Sequence, residues 1–253
     1  MIRLGVSAGR VRLFARTRDA VPFVVKDPLL KELKALDKAW RAAFLLDRQI
    51  GRVGMQEGGI FEGIVRKNVT VILFDQDADY EAWVKAAHPP SDPAPRGAYR
   101  EVIAARLKEG VLNAEACRGL RRDLANAYLQ HLLFLGEPAW LVEGLARQHE
   151  CSTGPKGELD AEAIDALIRT LQAAARNRSL TPVDQLLLLK DSQFKEQHVA
   201  ESWALVRLLT IHAPTAIPAL LESLAGLEAN AWADPDRVGA ALVVVISHRL
   251  WQR

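Results

Sequence analysis

The chain has 253 residues, enough to bury a substantial core as one large domain or two small ones. Its 33 Lys plus Arg almost balance its 31 Asp plus Glu, so nothing pulls it generally toward nucleic acid or an anionic membrane. Two cysteines, Cys117 and Cys151, are too few for a disulfide framework or a metal knuckle, and no stretch approaches the roughly 18 apolar residues of a membrane span.

The first ten residues hold no apolar run of signal-peptide length, so the expectation is a cytoplasmic protein, or an exported one if a leader has been trimmed. Val11, Leu13 and Ala15 alternate with Arg12, Phe14 and Arg16 as in a strand, and Val21 to Val25 forms a second apolar run. Asp27-Pro28 then opens a helix carrying Leu29, Leu33, Leu36, Trp40 and Phe44 on one face, followed by a glycine-broken loop from Gly54 to Gly63. Val69 to Phe74 is a continuous apolar run, the pattern of a central strand buried on both faces. The acidic Asp75, Asp77 and Asp79 after it lack the glycine and closing glutamate of a calcium loop, so Asp77 reads as the cap of a helix through Tyr80, Trp83 and Val84. Residues 88 to 97 hold four prolines and read as an exposed loop. Tyr99 to Leu107 returns as a strand, and Asn113 caps the next helix.

That helix and its successor form the informative stretch. Leu120, Leu124, Ala127, Leu132 and Leu135 recur at helical spacing, and Gly136 suits a helix end. Pro138 is placed for the first turn of a second helix, whose buried stripe continues through Trp140, Leu141, Gly144 and Leu145. After Cys151 come helix starts at Asp160, at Thr181-Pro182, near Phe194, at Thr215 and at Asp234-Pro235, with no repeat of fixed length.

The run Pro138, Trp140, Leu141, Glu143, Gly144, Leu145, Ala146 resembles the active-site corner of the gluzincin-type zinc metallopeptidases, in particular their peptidase MA-like, domain-of-unknown-function branch. There a helix with H-E-x-x-H precedes a helix with P-x-W-L-x-E-G-L-A. Ala200 to Val206, Ala-Glu-Ser-Trp-Ala-Leu-Val, is similar to the A-Q-S-W-A-L-V that follows in the same family. The resemblance spans residues 20 to 225 and carries motifs at 120 to 146 and 199 to 206. It implies an α+β, zincin-like fold: a small mixed sheet with helices over 1–112, the active-site-type hairpin over 113–150, and an all-helical region over 151–253.

By the same resemblance Arg122 stands at the first histidine, Asp123 at the general-base glutamate, Asn126 at the second histidine and Glu143 at the third zinc ligand. Catalytic zinc needs three protein ligands and a water. A guanidinium has no lone pair to give, an amide oxygen is a weak partner for zinc, and without a metal Asp123 has no acidified water to activate. His131 lies about 12 Å along the helix from Asp123 and His149 about 9 Å from Glu143, so neither replaces a lost ligand. Arg122 is expected instead to pair with Glu143, with Asn126 bridging, since a carboxylate left there alone would be an uncompensated charge.

The candidate cleft takes in Trp140, His198, and Val102 and Ile103 on an edge strand that would pair with extended substrate. His198 stands where relatives carry tyrosine and reads either as an electrophile or as a surface or cap histidine. The expected function is therefore a non-catalytic, metallopeptidase-like binding or structural module for a protein or peptide partner, without cofactor, nucleic acid or membrane insertion. The alternatives are a zinc-dependent hydrolase with non-standard ligands, and a structural subunit of a larger assembly with an apolar face near Leu242 to Ile246. Dinucleotide, phosphate-loop and serine-hydrolase signatures are absent from the sequence.

Overall fold

The computed structural model describes residues 2–8, 11–16, 69–87, 98–99, 102–107, 114–132, 138–153 and 158–225. The expectations for 21–25, 29–51, 54–63, 88–97, Asn113, Gly136 and everything from Asp234 on, including Leu242 to Ile246, fall outside these residues. The fold is α+β.

A mixed five-stranded sheet has the order β1 (Ile2–Ala8), β2 (Val11–Arg16), β3 (Val69–Phe74), β5 (Val102–Arg106), β4 (Ala98–Tyr99). β3 is central and parallel to both neighbours, with Val69 opposite Val11 and Thr70 opposite Val102. β1 and β4 add on antiparallel at the two edges. The apolar run at β3 is sealed on one face, where Val69, Val71 and Leu73 are fully buried. Thr70 and Ile72 on the other face are half-buried, so the expected two-sided burial is complete only on one side.

Helix α1 (Asp77–Ala87) follows β3 and docks through aromatic edges: the Tyr80 and Trp83 rings lie 6.1 and 6.3 Å from Phe74. The chain then returns as the β4–β5 hairpin and enters α2 (Ala114–Leu132). On α2 the described part of the apolar spacing holds, with Leu120, Leu124 and Ala127 buried and joined by Ala125 and Leu129, while the Leu132 side chain and Leu135 lie outside what is described.

Helix α3 (Ala139–Glu150) is the centre of the helical half and buries seven residues from Ala139 to Ala146. Its proline sits one place earlier than expected, since Pro138 has extended backbone (ψ 136°) and is the N-cap residue. Pro182 does the same for the short α5 (Val183–Leu188), displacing Thr181 from the capping role. A proline fixes φ, which both positions accept, while its free ψ decides between them. Between them, a two-stranded ribbon of β6 (Ser152–Thr153) and β7 (Glu158–Leu159) leads to α4 (Ala161–Arg176), capped as expected by Asp160, whose carboxylate accepts from the Glu162 and Ala163 N–H groups. Helices α6 (Glu196–His212) and α7 (Ala216–Ala225) complete the described fold. Among the described residues no helix is long and apolar enough to cross a membrane.

The most extensive helix–helix contact is that between α3 and α6. At its centre Gly144 lies against the backbone: a Cβ built there would stand 2.6 Å from the Ser202 carbonyl oxygen and 2.6 Å from Val206 Cγ2. Gly119 in α2 is the opposite case, with nothing within 4 Å of an added Cβ. Gly144→Ala should therefore lower unfolding free energy by about 1–3 kcal/mol through overpacking against backbone that cannot retreat. Gly119→Ala should raise it by about 0.5–1 kcal/mol through helix propensity alone. Urea denaturation of the two single variants checks both signs.

Candidate functional site

The hairpin of α2 and α3 assembles an alternating row of charges. Arg122 donates from Nη2 to Glu143 Oε2 at 3.0 Å, and the two side chains are only 16% and 13% exposed. Arg122 Nε is 3.9 Å from Glu150 Oε2, and Arg147 Nη1 donates to that same oxygen at 2.6 Å. Glu143, Arg147 and Glu150 recur at helical spacing along one stripe of α3, so a single arginine from α2 can address two of its carboxylates. The expected Arg122–Glu143 pair is thus present. The expected bridge is not: Asn126 Oδ1 is buried with no hydrogen-bond partner.

These residues do not suit zinc. Of the three positions that the resemblance assigns to zinc ligands, only Glu143 carries a good zinc donor, and the Arg122 guanidinium already pairs with it. Among the described residues no group of three His, Cys, Asp or Glu side chains is arranged to hold a metal ion.

Beside the charge row lies a cleft of about 970 Å³, open where the parallel strands β3 and β5 end. Asp75 and Gln76 after β3 and Asp77 at the start of α1 line it, with Ala104 to Arg106 of β5 and Leu107 just beyond, whose N–H bonds back to the Phe74 carbonyl at 2.7 Å. Helix α2 contributes Glu115, Arg118, Gly119 and Asp123, and α3 contributes Glu150. Asp123 therefore faces the cleft, while Arg122, one position along the same helix, turns its charge to Glu143.

Four residues expected in the cleft lie elsewhere. Trp140 is wholly buried and serves as a core anchor. Val102 and Ile103 are not on an open edge: β4 pairs with them through Tyr99 and Ala98, and Ile103 is fully buried. The part of the strand that lines the cleft begins at Ala104, the residue after Ile103, and within it only Arg106 is exposed. His198 stands in the first turn of α6, where its Nδ1 accepts the Lys195 N–H at 3.1 Å and its ring meets Phe194 edge-on at 5.7 Å, a capping role. Sequence reasoning missed Arg106, Arg118 and Gly119 as cleft residues, and the only available signal was the unexplained glycine inside a helical pattern.

Two further titratable groups flank the β6–β7 ribbon, Cys151 at the end of α3 and Asp160 at the start of α4. Burial pushes the Cys151 thiol up to about 11, so it remains a neutral core side chain and no nucleophile. Arg118 holds the Asp160 carboxyl below its ordinary range through a 3.1 Å hydrogen bond, assisted by the Ala163 N–H, which pins α2 to the start of α4. No family model matches the chain, and no curated protein matches it either.

Arg122→Ala should destabilise the fold by about 2–3 kcal/mol by stranding Glu143, while Arg122→Ala with Glu143→Leu should recover part of the loss, giving a coupling of about 1–3 kcal/mol in a double-mutant cycle. Burial lowers His149 from 6.5 to about 4. In that window the unfolded chain takes up a proton that the folded chain refuses, so stability is complete above 6.5 and falls as the pH drops toward 4. The slope is at most about 1.4 kcal/mol per pH unit, and His149→Gln should flatten it in urea titrations between pH 5 and 6.5.

Proposed function

We propose that the chain is a catalytically degenerate, metallopeptidase-like protein, a zincin-type scaffold that serves as a binding module for a protein or peptide. The observation that carries this reading is the Arg122–Glu143 pair at 3.0 Å, a fixed positive charge set on the carboxylate that the resemblance assigns to zinc. A guanidinium neutralises that carboxylate as a metal would, but it offers no open coordination position and cannot acidify a bound water. Support also comes from the close contact between the two stretches that carry the resemblance: Gly144 of the first lies on Ser202 of the second.

A binding role draws on the cleft beside the charge row. β4 pairs only with Val102 and Ile103, so among the described residues no strand pairs with the outer edge of β5 at Ala104 to Arg106. An extended peptide could add there through main-chain hydrogen bonds, with alternate side chains directed into the cleft.

The reading is tested by metal content. The purified chain, incubated with zinc and desalted, should retain far less than one equivalent by elemental analysis. The triple variant Arg122→His, Asp123→Glu, Asn126→His should retain close to one equivalent and lose it when Glu143→Ala is added. Stoichiometric zinc on the unmodified chain, released by Glu143→Ala together with hydrolytic activity, would overturn the proposal in favour of an enzyme.

A further inference from the structure

The stretch that joins α4 to α6 is held differently from the rest of the helical half. Between Ala174 and Ala200, both buried, Leu186 is the one buried side chain among those described. It sits on α5, a helix of six residues, too short to be stable by itself. Leu186 enters the main core, with Leu187, Leu189 and Phe194 partly buried against it, while Leu180, Val183 and Leu188 stand about half exposed. Local opening is governed by how many buried apolar contacts must be given up, and here that number is small.

Polar contacts with α6 supply the remaining hold. The Thr181 N–H donates to Glu201 Oε1 at 3.0 Å, and Gln197 Nε2 donates to that oxygen at 2.7 Å and to the Ser179 carbonyl at 2.5 Å. Two features weigh against this closed arrangement. Glu201 is 7% exposed, and its Oε2 is buried with no hydrogen-bond partner, which costs stability for as long as the segment covers it. Arg178 ends α4 in the left-handed region, at φ 52°, where glycine would sit with least strain, and the Ser179 N–H closes that turn on the Ala174 carbonyl at 2.9 Å. At the far end the chain turns on itself again. The Gln193 N–H meets the Lys190 carbonyl at 2.8 Å and the Lys190 N–H meets Gln193 Oε1 at 2.9 Å.

We propose that residues 179–189 form a strap that opens and closes as one unit while α3, α4 and α6 stay folded, pivoting at Arg178 and at the Lys190–Gln193 turn, with Glu201 as its latch. Opening withdraws Leu186 from the core and bares the Glu201 carboxylate; closing hides both. Only the open form presents these groups, so whatever engages them shifts the strap toward opening. The device does not depend on the function proposed for the hairpin of α2 and α3.

The test is native-state hydrogen exchange of the full chain, read by NMR at the Thr181 and Leu186 amides, which bond to Glu201 Oε1 and to the Pro182 carbonyl. Both should show one common protection factor, at least about tenfold below that of the α3 amides and nearly independent of low urea, the sign of an opening smaller than global unfolding. Leu186→Ala leaves the Thr181 bond in place, yet it should lower protection at Thr181 by about tenfold or more, and Glu201→Ala should do the same at Leu186. Protection and urea dependence equal to those of α3 would overturn the proposal, since the segment would then open only with the whole molecule. Variants that each change their own amide alone would overturn it too, because two contacts would then fray independently. The unmodified chain decides the first point even where a variant does not fold.

Discussion

The helical half of the molecule is set by how closely α3 approaches α6. With the Ser202 carbonyl where a side chain of residue 144 would be, α3 has one rotational setting about its axis, and one turn of freedom lost there fixes every other face. Trp140, Leu141 and Leu145 go into the core, and the stripe of Glu143, Arg147 and Glu150 is left against α2. Charges held between two helices at such low exposure must be answered locally, because stripping two ions of water costs more than a loose pairing returns. The alternation Glu143, Arg122, Glu150, Arg147 is that answer, with each carboxylate touching a guanidinium.

How much of this was legible in the sequence follows from which interactions are local. The apolar spacing of α2, the run at Val69 to Phe74 and the Asp160 cap are decided within a few neighbouring residues, and all three are present. The Arg122–Glu143 pair joins residues 21 apart, but its two helices share one short corner, so the motif frame located it. The cleft is different. It gathers the ends of β3 and β5, one face of α2 and the last residue of α3, and no periodicity within a single segment reports that meeting. Val102 and Ile103 were misplaced because the strand that covers them, Ala98–Tyr99, is two residues long and too short to show an alternating pattern.

Trp140 shows a related limit. Its spacing on α3 marks it as facing inward, but an inward tryptophan beside a cleft and one in the core share the same sequence pattern. What separates them is the surrounding packing: Trp140 is at 0% exposure within the main core cluster, and the cleft is lined instead by residues of α2 and by Glu150 at the end of α3.

The stretch from Ala200 to Val206 has its own physical account, and it is one of support rather than chemistry. Ala200, Ser202, Trp203 and Val206 are buried, the first and third in a small cluster with Cys151 and Leu167 that fastens α4 over α6. Glu201 is 7% exposed and accepts hydrogen bonds on Oε1 from the Thr181 N–H at 3.0 Å and from Gln197 Nε2 at 2.7 Å, while its Oε2 is buried without a partner. A carboxylate so placed ties the connection between α4 and α5 to the helix that α3 rests on. His198, just before it, completes the first turn of α6 through the Lys195 N–H. The buried side chains of the segment thereby support the helical half through packing and the Glu201 hydrogen bonds, whereas Asp123 and Glu150 meet the cleft on the α2 side.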